Sequence, residues 1–238
     1  MKTATMRLYG IIGGGFFPDE DAITAKGVAA ELDKLRADGV KRLEIFLSSD
    51  GGHVGEGLAI YSQIQRFPGE VTVSIDGRAL SIASVIALAG NRLVMPRSAL
   101  LMIHAPFMIS IGNSKELRKV ADDLDVMAAT MRGIYAAASG RPPAEIEKMM
   151  DEETWLTAER AQELGFADEV LEDQKPGAAA SVRTPILDFY RKTPEGLRGV
   201  RAEVALAKLE GLLMRQRIGG IARSASAAAA GVIPGAGN

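Results

Sequence analysis

Ser81, His104 and the Gly51-Gly52 pair are the residues of this chain whose types could together do covalent chemistry. A serine hydroxyl attacks a carbonyl at neutral pH only when a base stands beside it, and histidine is the usual base. The attack places negative charge on the carbonyl oxygen, which main-chain N–H groups at a glycine turn or a helix start can hold. Ser81 opens a run of small and apolar residues after Gly77. His104 ends an apolar strand pattern, and Ala105-Pro106 then halts regular structure. Gly51-Gly52 turn the chain directly after another strand pattern. Each also has a plainer reading: Ser81 as a helix N-cap, His104 as a hydrogen-bonded structural residue, the glycines as a turn. Residue types alone support no more than a soluble α/β domain.

The elements that must position these residues follow from periodicity. Residues 4–12 pattern as a strand ended by three glycines, and 22–37 as a helix with Val28, Ala29, Leu32 and Leu35 at helical spacing. Residues 42–47 are a strand, 57–67 a helix and 70–75 an alternating strand. The run 81–89 reads as a buried helix, although its periodicity also allows a strand. Strands follow at 92–95 and 99–104, on either side of a turn at Pro96. Residues 114–138 carry the clearest helix signal: Ser114 as N-cap, Gly140 as stop, and Leu117, Val120, Leu124, Met127 and Met131 as a stripe read first as core. A shorter helix starts near Pro142-Pro143, and another covers 158–164. Strand and helix alternate, which predicts an α/β class. A domain boundary is placed near 174, giving a domain over 1–173. Beyond it come a Pro/Gly/Ala linker (174–181), an amphipathic helix (195–217) and a low-complexity Ala/Gly tail within 174–238.

Composition narrows the functional classes. Of 238 residues, 47% are hydrophobic and 24% charged, which excludes wholesale disorder, and the net charge of -2 draws the chain to neither nucleic acid nor anionic lipid. Arg215, Arg217 and Arg223 make a modest basic patch, too few charges for nucleic-acid binding to be expected. The absence of cysteine removes disulfides, thiolate metal sites and cysteine nucleophiles; with two histidines far apart, neither a metal nor another cofactor is expected. The N-terminus reads as a strand rather than a signal peptide, and the longest uncharged run, 79–90, is too short to span a bilayer.

In order along the chain, SSDGGHVGEGLAIY (48–61), GRALSIASVIALAG (77–90), PRSALLMIHAP (96–106) and EETWLTAERAQELGFAD (152–168) resemble the ClpP family of serine peptidases, and more closely the ClpP-related head maturation proteases of tailed phages. The resemblance runs from about 43 to 170. It implies the ClpP/crotonase spiral of ββα units, with residues 107–138 projecting as a strand–helix handle. It places Ser81 as nucleophile, His104 as general base and Glu153 as acid, with Asp151 as the alternative acid. The N–H groups of Gly51 and Ile82 would form the oxyanion hole. Ser84, one turn further along the helix, competes as nucleophile. His53 would line the groove, and Asp168 would cap a turn. The sequence departs from the family where Asp50 replaces a proline, putting a charge near the groove and loosening the turn, and where Glu153 replaces an aspartate.

What the resemblance implies about function is an endopeptidase processing phage capsid or scaffold precursors, acting as a homo-oligomeric ring, heptameric or double. Its place would be the bacterial host cytoplasm or a phage prohead, and phage versions act without evident need of a Clp ATPase. A housekeeping ClpP-type protease working with an ATPase is the first rival. A crotonase-type acyl-CoA enzyme and a non-enzymatic assembly protein are the others.

Overall fold

The computed structural model describes residues 1–14, 22–173 and 185–194. Alternating apolar residues make the first strands. In β1 (Thr3–Tyr9) Met6 and Leu8 face inward; in β2 (Arg42–Ser49) Leu43, Ile45 and Leu47 do. β1 pairs with β2, and β2 with β3 (Glu70–Leu80), all in parallel. Parallel strands need crossovers, supplied by α1 (Ala25–Ala37), whose N-cap Thr24 accepts from Gly27 N–H, and α2 (Val54–Gln65). Their apolar faces join one core with the sheet through Val28, Leu32, Ile60 and Ile64.

β3 is longer than its alternating stretch predicts. It continues through Gly77 to Leu80, and the two halves have different neighbours. Residues 72–74 pair with β4 (Arg92–Pro96), while residues 78–80 pair with β5 (Leu100–Ile103), both in parallel. The ambiguous run after Ser81 is a helix, α3 (Ile82–Ala87), with all of its residues buried. Gly57 of α2 makes that possible: a Cβ there would stand 2.2 Å from Ile82 Cγ1, so only glycine lets α2 lie this close to α3.

α4 (Ser114–Ser139) is capped by Asn113 rather than Ser114: the Asn113 side chain accepts from the Lys115 and Glu116 amides, and Glu116 returns a bond to the Asn113 N–H. Its stripe is core only towards the C-terminal end, where Met131 and Tyr135 are buried; Leu117 and Val126 are exposed. The helix therefore stands out from the body, but residues 104–113 before it form no strand with the described residues. α5 (Pro143–Asp151) leads into β6 (Thr154–Thr157), which pairs antiparallel with β5; α6 (Ala158–Glu163) and β7 (Glu169–Leu171), paired with β4, follow. Asp168 fixes that last return by accepting from Leu93 N–H at 2.7 Å, a structural role as expected.

The first compact unit runs from Met1 to Lys192, not to 173. A 3-10 turn, Pro185–Phe189, and the residues after it pack back on the body: Ile186, Leu187 and Tyr190 form a second apolar cluster with Leu80 and Met102. The expected linker (174–181), helix (195–217) and low-complexity tail, with the basic patch, lie outside the described residues.

Candidate active site

Two strand registers assemble the site. Pairing of Leu80 with Met102 places Ser81 at the end of β3 beside the end of β5, and Ser81 N–H donates to Met102 O at 2.9 Å. His104 follows directly after β5. Pairing of Ile103 with Thr154 then brings Glu153, the residue just before β6, to the same edge. The carboxyl ends of parallel strands are where α/β sheets commonly hold their chemistry.

Ser81 Oγ lies 2.7 Å from His104 Nε2, across 23 residues of sequence. Ser81 has φ 57 and Glu153 φ 53, and they are the non-glycine residues with positive φ among those described. Such backbone costs roughly 1–3 kcal/mol per residue and tends to gather where a side chain must be aimed. For Ser81 it turns the chain sharply from β3 into α3, lifting the hydroxyl out of the sheet line. Ser84 has no such freedom. It is fully buried, and its Oγ donates to Ser81 O at 2.6 Å and meets Tyr135 Oη at 2.7 Å. It braces the turn at Ser81 from behind.

Burial pushes the His104 imidazole down to about 4, against the negative charge of Glu153, which raises it; the Arg191 guanidinium lowers it further. The imidazole is thus neutral at pH 7 and able to accept a proton. Glu153 is buried while Asp151 is exposed at the end of α5, so Glu153 is the carboxylate whose field reaches the imidazole. Yet no hydrogen bond joins Glu153 to His104. Its Oε2 accepts from Arg191 N–H at 2.6 Å, and its Oε1 accepts from Lys192 N–H at 2.5 Å and from Trp155 Nε1 at 3.2 Å.

The glycine turn passes against the nucleophile. A Cβ on Gly51 would sit 2.9 Å from Ser81 Cβ, and one on Gly52 2.1 Å from Ile12 O, so neither position admits a side chain. Gly51 N–H donates to Ser49 Oγ at 3.1 Å and is thereby turned from the groove. Gly52 lines the cavity beside Ser81, and no acceptor takes its N–H among the described residues. Ile82 N–H, first in α3, has no carbonyl a turn earlier to bond within the helix. Sequence reasoning chose the first glycine of the pair; Ser49, two residues before it, is the signal that its amide has a local acceptor.

Asp50 does not loosen this turn. Its carboxylate is buried and paired with Arg78 through two bonds, Nε to Oδ1 and Nη2 to Oδ2, the latter 3.0 Å. The charge expected near the groove is therefore neutralised inside the protein. An isolated arginine in an otherwise apolar run was the sign that a buried partner existed. His53 caps α2, its Nδ1 accepting from Glu56 N–H at 3.2 Å, and also lines the cavity.

That cavity, of about 370 Å³, opens at Ser81 and His104 and is walled mainly by apolar side chains, including Phe107, Ile109, Leu124, Met127, Ile186 and Phe189. Its walls suit an apolar group beside Ser81. No group of His, Cys, Asp and Glu that could hold a metal ion exists among the described residues, and none of their helices is long and apolar enough to cross a membrane.

The Clp protease family model matches residues 18–174. The ATP-dependent Clp protease proteolytic subunit 3 of Streptomyces coelicolor is 32% identical over 165 residues, covering 66% of this chain and 76% of that protein. The ATP-dependent Clp protease proteolytic subunit of Porphyromonas gingivalis is 34% identical over 159 residues, covering 65% of this chain and 71% of its own. Among solved structures, a mutant ClpP1 from Listeria monocytogenes shares 26% identity at a TM-score of 0.62, covering 71% of this chain and 92% of that one.

Proposed function

This chain belongs to the Clp protease family, and from that premise we propose that it is a serine endopeptidase with Ser81 as nucleophile, His104 as general base and Glu153 as the acid that orients and balances it. The observation that carries the assignment is the 2.7 Å contact between Ser81 Oγ and His104 Nε2 at the end of β3. Ser81 Oγ attacks the peptide carbonyl carbon while its proton passes to His104 Nε2. The oxyanion is held by the N–H groups of Ile82 and the glycine turn, with Gly52 the donor on the turn side. Collapse breaks the C–N bond, and His104 returns the proton to the leaving amine. Water, deprotonated by His104, then attacks the acyl ester, freeing the new carboxylate and restoring the serine. A fluorophosphonate probe followed by peptide mapping tests this. Label on Ser81, abolished by Ser81→Ala, is the expected result; label elsewhere, or full peptide cleavage by that variant, refutes it.

Processing of phage capsid or scaffold precursors is the substrate reading supported by the resemblance of the four sequence blocks to phage head maturation proteases. The second reading is degradation in company with a Clp ATPase. It is favoured by the printed names of the relatives, which are subunits of ATP-dependent proteases. Cleavage of a co-expressed capsid precursor without nucleotide supports the first; a strict requirement for an ATPase and ATP supports the second. In either case the chain acts as a homo-oligomeric ring, heptameric or double. Phe107, Met108, Ile111, Leu117 and Val126, exposed before and along α4, supply apolar surface for neighbouring copies to cover. Sedimentation should give a mass several times 25.2 kDa; a monomer that still cleaves peptides refutes the ring.

A further inference from the structure

Tyr190 lies beyond the part of the chain that matches the family, yet its side chain is buried at the centre of the site. Its hydroxyl donates to the carbonyl of Asp50 and lies 3.1 Å from where a Cβ on Gly51 would stand, a point itself 2.9 Å from Ser81 Cβ. Its ring packs edge-on against His104, with centroids 5.1 Å apart. The next two residues give their amides to the two oxygens of Glu153. Just before Tyr190, Phe189 stacks on Phe107 at 5.9 Å, and Ile186 helps wall the cavity.

These contacts occupy what a substrate needs. A peptide carbonyl must approach Ser81 Oγ and the glycine turn together, and the Tyr190 hydroxyl is bonded to that turn close beside Ser81. A triad acid must hold the far nitrogen of the imidazole, while both oxygens of Glu153 are engaged by charge-assisted bonds to the 191 and 192 amides. A phenol offers no carbonyl to attack, so this occupant blocks the serine without being cut by it.

We propose that residues 185–192 form an inhibitory segment that occupies the glycine-turn side of the site in cis and keeps the peptidase at rest, with Tyr190 held on the turn and the amides of Arg191 and Lys192 as the hook on Glu153. The proposal rests on Ser81 being the nucleophile. Release of the segment frees the glycine turn and lets Glu153 swing to His104 Nδ1. The positive charge of Arg191, which depresses the imidazole, leaves with it.

The test compares the full chain with Tyr190→Ala, Tyr190→Phe and Lys192→Pro, the last removing one N–H from Glu153. The readouts are the rate of fluorophosphonate labelling at Ser81 and the hydrolysis of a short apolar peptide, on protein whose melting curve remains cooperative. Tyr190→Ala and Lys192→Pro should react at least tenfold faster than the parent, Tyr190→Phe by an intermediate factor. A synthetic peptide of residues 185–194 added to Tyr190→Ala should slow it by raising KM and leaving kcat. Ser81 labelling in the parent that the variants match or fall below overturns the inhibitory segment alone. Absence of Ser81 labelling in the parent and every variant overturns both the segment and the peptidase reading beneath it.

Discussion

Asp50 and Arg78 face one another as a buried ion pair that ties the residue before the glycine turn to the strand leading into Ser81. Because Asp50 O also accepts from Tyr190, this residue links the turn, β3 and the C-terminal segment. Removing one member of such a pair leaves a bare charge out of water, which costs about 3–5 kcal/mol, whereas removing both is far milder. Arg78→Met alone should lose stability on that scale in urea unfolding, and Asp50→Asn with Arg78→Met should recover most of it. Additive losses in the double variant would show that the two side chains do not act as a pair.

The acid assignment separates on chemistry rather than stability. Glu153→Gln keeps the shape but removes the charge that favours protonated His104, so kcat should fall by about a hundredfold or more, within the range seen when triad acids are neutralised. Asp151→Asn, at an exposed carboxylate, should stay within about twofold. The reverse pattern in steady-state kinetics would move the acid to Asp151.

Ser84→Ala offers the complementary contrast to Ser81→Ala. It removes the bonds to Ser81 O and Tyr135 Oη, leaving a buried phenol with the longer 3.4 Å contact to Ser81 O. A loss of about 1–2 kcal/mol is expected, with Ser81 still labelled. Unchanged melting together with lost labelling would reverse the roles of the two serines.

Where the sequence was legible and where it was not follows from the range of the forces involved. Helical stripes, alternating strands and the order of the motif blocks are local, so α1, β2 and the approximate extent of α4 were readable. The extension of β3 from Ile75 to Leu80 was not, because it depends on a second partner, β5, for its last residues. β6 was missed for the same reason: Thr154–Thr157 is short, and only antiparallel pairing with β5 makes it a strand. Motif spacing singled out Ser81 and His104, whose side chains the fold brings to 2.7 Å, whereas the bond from Gly51 N–H to Ser49 Oγ depends on the turn conformation and had no local signal beyond Ser49 itself. Tyr190 carried no signal at all. Nothing local marks a residue whose hydroxyl bonds a carbonyl 140 positions away.

The resting His104 gives a prediction that runs through pH. Its folded value is about 4 against an ordinary 6.5, with burial the largest cause, Glu153 opposing and Arg191 assisting. Above pH 6.5 the ring is neutral in folded and unfolded chains alike. Between 6.5 and 4 the unfolded chain takes up the proton and the folded one does not, so stability falls as pH falls, by about 3 kcal/mol from this group. NMR titration of the assigned His104 ring should show a midpoint near 4, shifted upward in Tyr190→Ala, where water reaches the ring. A midpoint near 6.5 in the parent would mean that the ring is not enclosed as described.

Gly57 tests whether the oxyanion donor depends on the packing of α2 on α3. A methyl group there would stand 2.2 Å from Ile82 Cγ1 and 3.2 Å from its Cδ1, with Ile82 wholly buried, so helix or side chain must give way. Overpacking of this kind costs about 1–3 kcal/mol, although alanine is the better helix former on an open surface. Because Ile82 begins α3 directly after Ser81, the displacement also moves its N–H away from the oxyanion position. Gly57→Ala should therefore lower kcat more than it raises KM, and it should do so at temperatures well below its reduced Tm. Recovery of kcat in Gly57→Ala with Ile82→Ala, which removes both Cγ1 and Cδ1 from the contact, would tie the defect to this one point of packing; a kcat that stays low in that double variant would place the cause elsewhere.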